Sequence, residues 1–104
     1  RDVLIEANDI SNNGTTNDQN GANVSLEAVG VVLQHNRLGS PLLGSGGSNA
    51  KGPNVRDRSA STLMRYNWIE GGGFLLDLVE STESGIIRGD AGYGDAIVYG
   101  NVLR

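Results

Sequence analysis

The side chains able to do chemistry gather in two stretches, Val55-Arg56-Asp57-Arg58-Ser59 and Leu75-Leu76-Asp77-Leu78-Val79-Glu80. Guanidinium and carboxylate groups in proximity are the types that move protons and steady developing charge, which singles out Arg56, Asp57, Arg58, Asp77 and Glu80. The same residues read equally as an ion-pair ladder, in which each exposed pair is worth at most about 1 kcal/mol. Asp18, Asn20, Gly21 and Glu27 fall at the third, fifth, sixth and twelfth positions of a calcium-loop pattern, so Asp18, Asn20 and Glu27 are candidate calcium ligands. Thr16 stands at the first ligand position in place of aspartate and no flanking helical pattern is present, so a plain solvated loop is the other reading. Tyr66, Trp68 and Tyr99 are the main aromatics; sugars stack on such rings, and packing beneath a loop explains them equally well. Tyr66 and Trp68, with Lys51, are the candidate substrate contacts. His35, the only histidine, has no second histidine or cysteine to share a metal with and reads as solvated. Gly44-Ser45-Gly46-Gly47 lacks the lysine-serine pair and helix of a phosphate loop.

What could position these groups is a frame of apolar residues around one asparagine, which occurs four times. Asn8, Asn36, Asn67 and Asn101 are spaced 28, 31 and 34 residues apart, within the range of repeat architectures. Five before the asparagine stand Val3, Val31, Thr62 and Ala96; three before it Ile5, Leu33, Met64 and Val98; two after it Ile10, Leu38, Ile69 and Leu103. A two-residue period puts the first two sets on one face, and a bend at the asparagine lets the third also point inward. Asparagine tolerates unusual backbone angles, so it is expected to take the bend itself. Stacked copies would let its amide bond to the copies on either side.

Val24 to Ala28 and Val55 to Ser59 precede their frames at the same offset and are expected to be equivalent strands. Alternation turns Ser25, Glu27, Arg56 and Arg58 outward and Asp57 inward, where Leu26 is its counterpart and a carboxylate needs amide or arginine partners. If Leu75 to Glu80 stacks on Val55 to Ser59, Arg56 and Arg58 come near Asp77 and Glu80. Leu4, Val32, Leu63 and Ile97 form an outward aliphatic strip of the kind that loops or partners cover.

The asparagine frame resembles the right-handed parallel β-helix of the pectate-lyase-like superfamily, with its internal asparagine ladders beside aliphatic stacks. The runs Val55-Arg56-Asp57-Arg58-Ser59, Arg65-Tyr66-Asn67-Trp68-Ile69-Glu70-Gly71-Gly72, Leu76-Asp77-Leu78-Val79 and Val98-Tyr99-Gly100-Asn101-Val102-Leu103 are similar to bacterial β-helix-repeat proteins labelled as polysaccharide-active, over nearly the whole chain. That resemblance implies an all-β solenoid of about four coils and an active groove along one wall. There an arginine or lysine takes the proton beside a uronate carboxylate, often with calcium, or two acids hydrolyse a glycosidic bond. On it, Arg58, Asp77, Arg56, Asp57 and Glu80 become catalytic candidates, polysaccharide of acidic type the partner, calcium the cofactor, and a secreted or cell-surface bacterial setting the location. Relatives of this kind are several times longer, so the chain reads as an excerpt of a solenoid.

Net charge is -4 and sequence pI about 4.7, which disfavours nucleic acid. There is no cysteine, no apolar run long enough to span a membrane and no signal peptide pattern. Nothing reads as a polar cap on the repeats. The expectation is one β-helix domain over residues 1–104, carbohydrate-active or carbohydrate-binding; its rival is a noncatalytic solenoid, a homo-oligomer joined through coil ends or the apolar strip.

Overall fold

The computed structural model describes residues 3–14, 22–41, 52–78 and 96–104. Among them the chain is all-β, with no helix. The strands are β1 (Val3–Glu6), β2 (Asp9–Ile10), β3 (Val24–Leu26), β4 (Val29–Gln34), β5 (Arg37–Leu38), β6 (Pro53–Asp57), β7 (Ala60–Arg65), β8 (Trp68–Ile69), β9 (Phe74–Leu78), β10 (Ala96–Tyr99) and β11 (Val102–Leu103). They form three separate parallel sheets, ordered β1-β4-β7-β10, β2-β5-β8-β11 and β3-β6-β9. The chain visits the sheets in rotation, and each strand pairs with the one that follows it by three elements.

The asparagine frame read from the sequence is the register of the first two sheets. Val3 pairs with Val31, Val31 with Thr62 and Thr62 with Ala96; Ile10 pairs with Leu38, Leu38 with Ile69 and Ile69 with Leu103. In the two inner layers the inward positions are sealed, with Val31, Leu33, Leu38, Thr62, Met64 and Ile69 at most 2 % exposed. Full burial of each large aliphatic contributes about 1.5–3 kcal/mol. In the outer layers the same positions are open: Val3 is 38 %, Val98 37 % and Leu103 46 % exposed. The aliphatic strip also lies in one column, Leu4 against Val32, Val32 against Leu63 and Leu63 against Ile97.

The four asparagines form a continuous ladder. Asn36 Oδ1 accepts from the backbone N–H of Asn8 at 2.9 Å and from its Nδ2 at 3.1 Å. Asn67 Oδ1 accepts the same two bonds from Asn36, and Asn101 Oδ1 accepts them from Asn67. The expectation that asparagine itself takes the unusual backbone angle is corrected. The residue before it does, with φ of 59° at Ala7, 56° at His35, 57° at Tyr66 and 67° at Gly100. The cause is local: Nδ2 of Asn8, Asn36 and Asn101 reaches back to the carbonyl two residues earlier, so the reversal falls on the residue between. For a residue with a Cβ that left-handed conformation costs roughly 1–2 kcal/mol, which the ladder bonds offset.

A second asparagine ladder, not foreseen from the sequence, fills the next corner. Asn13 Nδ2 donates to Asn23 Oδ1, and Asn23 Nδ2 donates to Asn54 Oδ1 at 3.1 Å. Asn23 also closes the carbonyls of Ile10 and Gly39, and Asn54 those of Leu38, Gly39 and Glu70. Asn23 and Asn54 lie 31 residues apart, the same interval as Asn36 and Asn67, and that was the available signal.

The third sheet differs from expectation in its bounds. The two equivalent strands cover Val24–Leu26 and Pro53–Asp57, so Glu27 and Arg58 lie just past strand ends. β6 is buried at every position, including the outward one. Alternation thus gives the side on which Arg56 stands but not its exposure.

Candidate functional site

β6 and β9 are paired in register, Arg56 beside Asp77 and Asp57 beside Leu78. Arg56 Nε donates to Asp77 Oδ2 at 2.8 Å, and the two side chains are only 9 % and 21 % exposed. The expected approach of Arg56 to Asp77 is therefore observed, but with Arg56 buried and Asp77 half-buried instead of both on a solvated wall. The pairing matters most for the buried guanidinium, which without Asp77 would lose a carboxylate partner. Asp57 points inward, as read, in the column of Leu26 and Leu78. Its Oδ1 accepts the N–H of Ser59 at 3.0 Å, an Asx turn that bends the chain out of β6. Ser59 Oγ in turn accepts the N–H of Ala28 in the neighbouring layer at 2.9 Å. Arg58 donates its backbone N–H to Leu26 O at 2.8 Å, while its side-chain Nε is buried with no hydrogen-bond partner. Glu80, the fifth candidate, lies outside the described residues, as do Lys51, Asp18 and Asn20. Glu27 is half-buried beyond the end of β3, and the described residues contain no group of three or more histidine, cysteine, aspartate or glutamate side chains placed to hold a metal.

A different set of groups meets solvent along the first asparagine corner. The left-handed residues of successive layers stack outward: His35 and Tyr66 lie 5.4 Å apart with ring planes at 20°, and Tyr99 meets Tyr66 edge-on at 5.5 Å. Tyr66 also covers Gly100, where a Cβ would come within 2.7 Å of the ring. On the far side of the buried Asn67, Trp68 is 37 % exposed with the Arg104 guanidinium 5.0 Å from its ring centroid. Beside the rings runs a polar ladder. Gln34 Nε2 donates to Glu6 Oε1 at 2.6 Å, Arg65 Nε donates to Gln34 Oε1 at 2.8 Å, and Arg65 Nη1 donates to Tyr99 Oη at 3.1 Å. The bond from Arg65 holds the Tyr99 phenol below its ordinary value and raises Arg65 further. Arg37 lies between Glu70 at 2.7 Å and Asp9 at 3.4 Å.

Of the sequence candidates, the structure brings together Arg56 with Asp77; Tyr66 and Trp68 are both exposed and flank the buried Asn67 in the chain. Arg65, Tyr99 and Arg104 were not singled out as site residues. Their signal is positional: Arg65 and Tyr99 occupy the same place before successive asparagines, and Arg104 follows the last by three residues. The aliphatic strip lines part of a shallow groove of about 300 Å³ whose floor includes Gly30 and Ser61, both at positive φ. No protein-family model, curated protein or solved structure matches the chain.

Proposed function

We propose that the three sheets are the walls of a right-handed parallel β-helix of the pectate-lyase-like kind, and that the chain is a noncatalytic carbohydrate-binding module of that architecture. The rotation of the chain through three parallel sheets supports the first part. Binding is favoured over catalysis because three of the five candidate groups are engaged. Arg56 and Asp77 neutralise each other in a partly buried pair, and Asp57 is held by the Ser59 amide. A general base must reach its proton, and Asp57 is 4 % exposed with its Oδ1 on the Ser59 amide.

The observation that carries the binding reading is the set of exposed aromatics at the first asparagine corner, Tyr66 against Tyr99 with Arg65, and Trp68 with Arg104. The faces of Tyr66 are taken by His35 and Gly100, so its hydroxyl and rim are what it offers. Trp68 is the ring for a sugar to stack on, and Arg104 beside it suits the carboxylate of a uronate. A uronate-bearing polysaccharide at a bacterial surface or in its surroundings is the partner that fits.

Trp68 is the only tryptophan, so its fluorescence reports the site directly. Titration with polygalacturonate, alginate and a neutral glucan is expected to shift Trp68 emission saturably with the acidic polymers, and Arg104→Ala to weaken that response. Unchanged emission with all three polymers overturns the reading.

A further inference from the structure

Two of the chain's three tyrosines are held against each other on the first asparagine corner. Tyr66 takes the left-handed position of its layer, and Tyr99 closes β10 in the layer beside it. The Tyr66 N–H donates to Tyr99 O at 3.4 Å, so the two backbones are direct neighbours. Their rings meet edge-on with centroids 5.5 Å apart. Tyr66 is fixed through its ring, stacked on His35 and lying over Gly100. Tyr99 is fixed at its tip, where Arg65 Nη1 donates to the phenol oxygen at 3.1 Å. Both still meet solvent, at 50 % and 42 % exposure, so a dissolved oxidant reaches them.

Adjacent, oriented and accessible phenols are what radical coupling needs. A phenol gives up an electron most readily as its proton leaves, and the radical then carries spin on the ring carbons ortho to oxygen. The Arg65 bond, and to a lesser degree the Tyr66 hydroxyl, hold the Tyr99 phenol below its ordinary value, which eases loss of that proton. The chain has no cysteine to intercept the radical, and Met64, its one methionine, is buried.

We propose that Tyr66 and Tyr99 are an oxidative cross-linking site, joined ring to ring by a carbon–carbon bond when a haem peroxidase and hydrogen peroxide act on the protein. Each phenol gives up one electron and its proton to become a phenoxyl radical. The two radicals join at ortho carbons, each of which sheds its hydrogen as a proton while the oxygen regains one, restoring both phenols. The two electrons and two protons released overall reduce one molecule of peroxide to two of water. Because Tyr66 is held between His35 and Gly100, Tyr99 is the ring that turns to bring the ortho carbons together. A partner already in place favours coupling within the chain over coupling between dilute chains. The bridge ties two neighbouring layers covalently and removes freedom from the unfolded chain, as any cross-link between distant residues does. It is independent of sugar binding, since Trp68 and Arg104 take no part.

The test is to oxidise dilute protein with a haem peroxidase and hydrogen peroxide and to separate the product under denaturing conditions. The expected product is a monomer with dityrosine fluorescence, in which tandem mass spectrometry places the bond between Tyr66 and Tyr99. Tyr66→Phe and Tyr99→Phe are each expected to abolish the fluorescence of the monomer. Tyr93→Phe, which changes the third tyrosine, outside the described residues, is expected to retain it. The cross-linked monomer is expected to unfold at a higher urea concentration than the untreated chain. A monomer without dityrosine, or a bridge that maps to Tyr93 or forms only between chains, overturns the proposal.

Discussion

Replacing Asn67 with alanine tests the ladder where it is most enclosed. The Asn67 side chain takes part in four hydrogen bonds, giving Nδ2–H to Leu33 O and Asn101 Oδ1 and accepting the N–H and Nδ2–H of Asn36 at Oδ1. The residue is 2 % exposed, so water does not replace these partners. At about 1 kcal/mol net for each bond, Asn67→Ala should cost about 4 kcal/mol, a large part of the 5–15 kcal/mol that typically separates folded from unfolded domains. Asn8 is the control on the same corner: its side chain only donates, to Glu6 O and Asn36 Oδ1, and solvent reaches it. Asn8→Ala should cost about 1 kcal/mol. Urea denaturation of the two variants beside the parent chain, followed by far-ultraviolet circular dichroism, gives the comparison. Equal midpoints for Asn67→Ala and Asn8→Ala would refute the idea that a directed amide column holds the layers in register.

Three other perturbations follow from single sites. Thr62 Oγ1 is buried without a hydrogen-bond partner in a column of Val31 and Ala96, so Thr62→Val should raise stability by about 1 kcal/mol in the same denaturation assay. Gly100 sits at φ 67° under the Tyr66 ring, with a hypothetical Cβ 2.7 Å away, so Gly100→Ala should lower stability by at least about 1 kcal/mol and disturb the near-ultraviolet tyrosine signal. The Tyr99 phenol is held below its ordinary 10.0 by the bond from Arg65, which favours the phenolate in the fold. Its stabilisation is therefore absent at neutral pH, builds as pH rises through the folded value and is complete above the unfolded one. Tyrosinate absorbance should show an early titrating step that Tyr99→Phe removes and Arg65→Met returns to the ordinary range.

The layered architecture was legible because every layer makes the same demand. A small or β-branched residue five before an asparagine, a large apolar one three before it and another apolar one two after it repeat in the sequence with the offsets that the sheets use, so the register could be written down from the residues alone. The second ladder shares that logic over Asn23 and Asn54 but enters through Asn13, only ten residues before Asn23, which breaks the repeat interval and hides the column. The backbone reversal was assigned to the wrong residue for a related reason. Asparagine is the type most at ease in a left-handed turn, yet here its side chain is committed inward, and Ala7, His35 and Tyr66 accept a conformation their own types disfavour.

The chemistry of the wall was harder to read, because alternation reports the side of a strand and availability depends on what lies beyond that side. Arg56, Asp57 and Asp77 sit in the columns that alternation assigns, and each is engaged: two with each other and one with the amide of Ser59. Asp57 shows the point most clearly. A carboxylate in a column of leucines looks like a catalytic anomaly in the sequence, but its neighbour two residues on supplies an N–H that only a short acceptor at this place can take. The aspartate accepts the Ser59 N–H in the turn that leads from β6 toward β7, while β3 ends at the same column on Leu26.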